Sequence, residues 1–329
     1  MGYFTDDEFA LAASLKGMKN LIYILLLIPA SFFAGNAHGL KYETGLDASQ
    51  WVNESSPFAC RLEHYIQGYG TGAFLHIAGE QRKLSLDGQG IAFGSLPVNV
   101  YAKPPNWRPG TQPQTLAQLT PSGGELQVGE QLATNIASGL LGGMMVAFAG
   151  TLKESESQPI EVSLSTVGFR QAFDEFAICE DQLLPANFSQ LERSRIQYAV
   201  GQVDLDDQAK GLLNKIVRYL EVDNSVKQLF IDGHTDDTGL TKDNIVMSQQ
   251  RAEQVCDYLI NQGVASDMLV MRYHAEKYPV ARNTTAANKA KNRRTTVRLS
   301  REFTPQPPAT DEATNSVVAS RDTGSASER

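Results

Sequence analysis

The chain has 329 residues, room for two domains of ordinary size. Its hydrophobic content of 42% is enough to build cores. Its formal net charge of −8, with no basic patch interleaved with aromatics, excludes a nucleic-acid binder.

The first feature along the chain is the apolar run Leu21–Ala34, "LIYILLLIPASFFA". Gly35 and Ala37 follow at the small positions a signal peptidase needs, and Lys16 and Lys19 supply the positive end. Residues 1–37 therefore read as a signal peptide. Met18 is a candidate true start, because Asp6, Asp7 and Glu8 are foreign to such a leader. The competing reading is an uncleaved inner-membrane anchor. The run is shorter than the ~20 residues of a spanning helix and Pro29 interrupts it, which favours cleavage.

Residues 38–190 read as a mainly β, partner-binding domain. "GAFLHIAG", "KLSLD", "PVNVYA" and "IEVSLSTVGF" are β-rich runs bounded by turn residues. One helix is expected, over Gln131–Leu141, weakened by glycine. An exported chain can form disulfides. The simplest pairing joins Cys60 to Cys179 and leaves Cys256 free on the apolar side of a helix, against an alternative of three unpaired thiols. In "KPPNWRPG", Pro104, Pro105 and Pro109 fix an extended, turned backbone that presents Trp107 and Arg108. Those residues are either a partner-binding anchor or part of a loop whose Trp folds back on the sheet. His64 and His76 accompany no nucleophile motif, so no catalytic residues can be named and an enzyme is not expected.

From Arg195 the pattern alternates between strands and helices. "RIQYAV" is a strand. Asp206–Val222 is an amphipathic helix capped by Asp206 or Asp207. "QLFIDG" is the next strand. Asn244–Gln262 is the second helix, with Met247, Ala252, Val255, Cys256, Leu259 and Ile260 inward and Gly263 as its stop. "MLVMRYHA" and "RTTVRLSR" are the last strands. The fold class is thus two domains, the second an α/β sandwich over 191–302 of order β-α-β-α-β-β with a mixed sheet. Residues 303–329, rich in Pro, Ser, Thr and Ala, read as a disordered tail.

The stretch "IDGHTDDTGLTKDN" crowds acids around one histidine. As a calcium loop it would use Asp232, His234, Asp236 and Asp243, but Asp237 stands where the turn glycine belongs and the closing Glu is missing. Zinc would want a further His or Cys nearby. No metal and no cofactor are expected. Asp236 and Asp237 are adjacent and point apart in most conformations, which suits acid–base chemistry poorly. A loop returning over the helix start could bring Asp236 near Arg251. A pair left partly open there offers an acceptor for an ammonium and a fork for a carboxylate. The bland alternative is a surface ion pair worth ~0–1 kcal/mol.

"IDGHTDDTG-x4-N-x3-S-x2-RA", "YPVARN" and "NKAKNRRTTV" resemble the OmpA-like peptidoglycan-binding family over about 195–300. The resemblance implies non-covalent binding of the diaminopimelate end of the wall stem peptide, with Asp236 on its ammonium and Arg251 on its carboxylate. Asn244 and Arg293 match further contact positions. The chain departs from the family around Tyr273-His274, where a glycine is usual, and at Lys289, where an arginine is usual. "FACRLEH", "PPNWRPG", "VSLSTVGF" and "FAICEDQLLPANF" resemble the MotY family of periplasmic flagellar proteins of sodium-driven motors. That resemblance implies a disulfide at Cys60 and Cys179 and a place in the T ring of the basal body, in the periplasm. It also implies a MotX-like protein, the P ring and a PomA/PomB-type stator as partners. The alternative is a general OmpA-family envelope protein without a motor role.

Overall fold

The computed structural model describes residues 39–105, 107–108, 110–121 and 126–303. The signal peptide read over 1–37, and the tail apart from Phe303, lie outside the described residues. Among the described residues no helix is long and apolar enough to cross a membrane.

The chain folds as two domains, the first mostly β and the second α/β with a mixed sheet. Strands β1 (Leu40–Tyr42), β2 (Trp51–Ser55), β3 (Ala59–Ile66), β4 (Gly70–Ile77), β5 (Lys83–Asp87), β6 (Val98–Lys103), β7 (Gln114–Leu119) and β8 (Leu126–Val128) come first. Helix α1 (Glu130–Leu141), β9 (Met145–Leu152), β10 (Ser155–Leu164) and α2 (Phe169–Gln182) complete the first domain. One sheet runs β1-β10-β9-β6-β7 and the other β2-β3-β4-β5-β8. Alternating burial along β3, β5 and β6 sends every second side chain inward. Leu62, Phe74 and Leu84 from one sheet meet Val100, Phe148 and Val162 from the other, with Ile136 of α1 and Phe176 of α2 in the same core.

One expectation fails in this half. "VSLSTVGF" stops being strand at Leu164, and Phe169 opens a helix that carries Cys179. Phe169, Ala172, Phe176 and Cys179 are its buried face, at helical spacing that glycine and short turns around it obscured. The helix expected over Gln131–Leu141 is α1, and β9 follows it after a short glycine turn. Cys60 on β3 and Cys179 on α2 form a disulfide with Cα atoms 5.9 Å apart, and Cys256 is free and buried.

A short α3 (Phe188–Leu191), closed by an Asn187–Gln190 capping box, leads into β11 (Arg193–Gln197). Then come α4 (Asp207–Leu220), β12 (Gln228–His234), α5 (Thr241–Asn261), β13 (Leu269–Tyr273), α6 (Ala286–Asn292) and β14 (Arg294–Ser300). The sheet order is β11-β14-β12-β13, with β12 parallel to β13 and the other pairs antiparallel. Helices α4 and α5 cover one face, where Leu213, Ile216, Val255 and Leu259 pack on Leu229, Ile231, Val297 and Leu299. Asp206 caps α4 by accepting from the Ala209 N–H at 2.7 Å. The expected element order lacked α6. Helix α5 also starts three residues before Asn244, and its Ile260 is 43% exposed instead of inward. Leu259 takes the inward position at 0% exposed, and Ile260 stands about 100° round the helix from it.

Candidate functional site

Strand β12 and helix α5 build the site together. Gly233 lies where the helix crosses the strand. A Cβ there would stand 2.0 Å from the Ser248 carbonyl oxygen, so only glycine lets the two backbones approach this closely. The crossing brings Arg251, nearly three turns into α5, under the loop that follows His234. Arg251 is 1% exposed, the largest fully buried side chain in the molecule's described part. Its Nε donates to the Gln202 carbonyl at 2.9 Å and its Nη1 to the His234 carbonyl at 3.0 Å. The guanidinium lies over the Tyr198 ring, 4.7 Å from its centroid. Burial pushes Arg251 down to about 10, still fully cationic at neutral pH.

Asp236 and Arg251 line one pocket but do not pair directly. The partner of Asp236 is Arg293, whose Nη1 donates to Oδ2 at 2.8 Å. Arg293 is fixed in turn by donating from Nε to the Tyr198 carbonyl at 3.0 Å. The Thr238 N–H donates to Asp236 Oδ1 at 3.0 Å. Burial of Asp236 favours its neutral form, but Arg293 and Thr238 outweigh it and hold the carboxyl below the usual range. The expected open pair is thus an Asp236–Arg293 pair beside a separately anchored Arg251. Sequence distance along α5 could not distinguish these, because Arg293 arrives from the far end of the domain.

Asn244, 7% exposed, donates from Nδ2 to Glu276 Oε2 at 3.2 Å and tethers the helix start to the loop after β13. Val200, Gly201, Thr235, Asp243 and Met247 complete a cavity of about 220 Å³. Its charged groups are two arginines and two aspartates, Arg251 and Arg293 against Asp236 and Asp243. Thr235 Oγ1 is buried with no hydrogen-bond partner among the described residues. Such a pocket is neutral overall with separated signs, the complement of a zwitterion.

The remaining acids and histidines have structural partners. Asp237 pairs with Lys289 at 2.9 Å on the rim. Asp232 accepts from both Arg272 nitrogens, at 2.6 and 2.9 Å, and lies 2.9 Å from His274 Nε2. His234 stacks on His274 with centroids 4.9 Å apart. Among the described residues no cluster of three or more His, Cys, Asp or Glu is placed to hold a metal ion. Trp107 is 50% exposed, so it does not fold back onto the sheet, and Arg108 lies 3.4 Å from the Gly142 carbonyl, far in sequence from the pocket. Tyr198, Thr235 and Gly233 were given no role by the motif spacing. Only Gly233 left a signal, as a glycine inside a strand.

Residues 197–293, which carry this four-stranded mixed sheet and the charged pocket where strand β12 meets helix α5, match the OmpA family. The preceding residues 42–185 match the MotY N-terminal domain. The chain is therefore a MotY N-terminal domain joined to a C-terminal OmpA-family domain. The sodium-type flagellar protein MotY of Vibrio parahaemolyticus is 28% identical over 284 residues, covering 84% of this chain and 96% of that protein. The peptidoglycan-binding protein ArfA of Mycobacterium bovis is 39% identical over 83 residues, covering 25% of each chain. Among solved structures, the peptidoglycan-associated lipoprotein from Burkholderia pseudomallei is 26% identical, covering 32% of this chain and 89% of that chain, with a TM-score of 0.31.

Proposed function

We propose that this chain is a periplasmic structural component of the flagellar basal body that anchors a T ring to peptidoglycan. The observation that carries the anchoring reading is the charge-balanced pocket. Arg251 is held rigidly by two carbonyls and presents the rest of its fork to the cavity. Asp236 stands across that cavity with its carboxylate kept ionised by Arg293. The free end of diaminopimelate carries an ammonium and a carboxylate on one carbon, which suits Asp236 and Arg251. Asn244 and Arg293 hold the loop in register for both. The pocket side chains are held in place by their own hydrogen bonds, so the protein loses little freedom on binding.

The likeness to MotY over most of both chains supports the motor role. In that role the first domain contacts a MotX-like protein and the P ring, with Trp107 and Arg108 as an exposed anchor, and the assembly helps hold PomA/PomB-type stator units. No enzymatic step is assigned. Sedimentation with purified peptidoglycan tests the anchor: Asp236→Asn should remain in the supernatant while the parent chain pellets. Equal pelleting would overturn the pocket. Deleting the gene tests the motor role. Loss of swimming is expected, whereas normal swimming with a damaged envelope would favour a general envelope protein.

A further inference from the structure

The face of the second domain's sheet away from α4 and α5 is rich in arginine, and the strand register fixes its members. Arg193 stands opposite Arg298 and Arg195 opposite Thr296, across β11 and β14. Arg298 stands opposite Phe230 and Thr296 opposite Asp232, across β14 and β12. Asp232 stands opposite Arg272 on β13. Directly opposed residues share a face. The alternate positions, Ile196, Ile231 and Val297, are buried under the helices, so the arginine set points the other way. The one carboxylate among these positions is Asp232, and Arg272 engages both its oxygens. Arg193, Arg195 and Arg298 make no ion pair among the described residues. Arg193 and Arg195 are exposed. Arg298 stands over the Phe230 ring, 4.1 Å from its centroid, so its guanidinium is already placed before a partner arrives. Burial first, then the charge of Arg195, lowers the pKa of Arg294 on the same face.

The first domain carries the opposite sign. Over 38–190, eight Lys and Arg stand against fifteen Asp and Glu, a net −7. Part of that surplus is concentrated on the outward face of α2. Asp174, Glu175, Ile178 and Asp181 recur there at helical spacing, and all are exposed. Asp174, Glu175 and Asp181 make no ion pair among the described residues. Glu175 accepts only from the neutral amides of Asn53 and Gln171. Ile178 sits among these acids, 60% exposed. The opposite face of α2 packs in the core and is tied to β3 by the disulfide, so the acidic face is presented on a fixed helix.

We infer that these two faces dock on each other between two copies of the chain: the acidic face of α2 in one copy lies on the arginine face of the sheet in the next. Asp174 and Asp181 are ~10 Å apart along the helix axis. Arg193 and Arg195 are ~7 Å apart along β11, and the flexible arginine stems cover the difference. Ile178 rests on those stems, which are apolar up to the guanidinium. The charges decide which surfaces meet, and the contact weakens with salt. Because the two surfaces differ, every docked pair keeps one free face of each kind and can add further copies. Neither face contains Asp236 or Arg251, so this docking is independent of the wall pocket.

Sedimentation velocity of the full chain over a concentration series tests this. At low ionic strength the weight-average sedimentation coefficient should rise with concentration. At ~1 M salt, where the screening length is about 3 Å, it should stay at the monomer value. Two double variants locate the contact: Arg193→Glu with Arg195→Glu, and Asp174→Lys with Asp181→Lys. Each alone should remain monomeric at low ionic strength, with the circular dichroism melt of the parent chain. Each variant keeps the face that the other has lost. An equimolar mixture of the two should therefore form dimers and nothing larger. A parent chain that stays monomeric at low ionic strength overturns the inference. So does self-association that survives in either variant, or a mixture that stays monomeric while the parent associates. A monomeric parent that binds polyglutamate through Arg193 and Arg195 also overturns it, and leaves the sheet face to another acidic partner.

Discussion

Arg251 holds the loop after His234 and lines the proposed ligand pocket, and the two roles can be separated. Removing it leaves the Gln202 and His234 carbonyls unpaired under a cavity. The motif alone suggests that Arg251→Ala weakens binding without affecting the fold. Its burial revises that expectation: Arg251→Ala should lose about 3 kcal/mol of domain stability, the scale for breaking a buried charged network. Arg251→Lys keeps the charge but not the fork. It should remain folded in urea titrations while wall sedimentation falls sharply. His234 sets an acid limit. Burial first, then the charges of Arg294 and His274, lower its pKa from 6.5 to about 4. The unfolded chain therefore takes up a proton that the folded imidazole refuses, and stability falls as pH drops from about 6.5 to about 4. Burial lowers His64 in the first domain as well, so both halves share the trend. The melting temperature should fall between pH 7 and pH 5. His234→Asn should flatten that fall; an unchanged slope would count against this account.

Among the elements, α2 depends most on a covalent tie. Its aromatic face packs on Trp51 and Phe74, and Cys179 ties it to β3 across 119 residues of chain. In the chain-entropy account such a bridge contributes on the order of 4 kcal/mol. Both tryptophans lie in the first domain, so their fluorescence reports that half alone. Cys60→Ser should shift the fluorescence unfolding midpoint strongly downward. Cys256→Ser, on α5, should leave it in place. The missed helix shows why the sequence pattern was insufficient here. "FAICEDQL" has only one short apolar stripe, and its inward face becomes apparent only against a sheet assembled from distant strands.

At the scale of the whole molecule the two domains share a packed junction. The turn between β4 and β5 inserts Ala78 into the core of the second domain, and Phe58 meets the Tyr219 ring with centroids 5.8 Å apart. Gln190 Nε2 donates to the Gly79 carbonyl at 2.8 Å, and the Leu184 N–H to the Pro57 carbonyl at 3.0 Å. Gly79 has φ +73°, and a Cβ there would approach Gln190 Oε1 to 2.1 Å and the Ala186 Cα to 2.8 Å. We expect the parent chain to show coincident unfolding by tryptophan fluorescence and by far-ultraviolet circular dichroism. Gly79→Val should open the junction and split the transition into two. A single unsplit transition in the variant would show that the junction does not couple the halves. A junction of this kind would transmit load from a wall-bound pocket to the β domain.

By itself the sequence determined the local matters. Strand and helix identity in the second domain, α6 apart, followed from apolar periodicity and caps, and Asp236, Asn244 and Arg251 from a motif spaced along one loop and one helix. Those signals are short-range, set by backbone geometry within a few residues, so one sequence suffices to read them. Only the tertiary structure decided which charge meets which. It paired Asp236 with Arg293 in place of Arg251, buried Arg251 against two carbonyls, and made α2 a helix. These outcomes depend on strands brought together from opposite ends of a domain, and pairing energies between such groups leave no local periodicity to read.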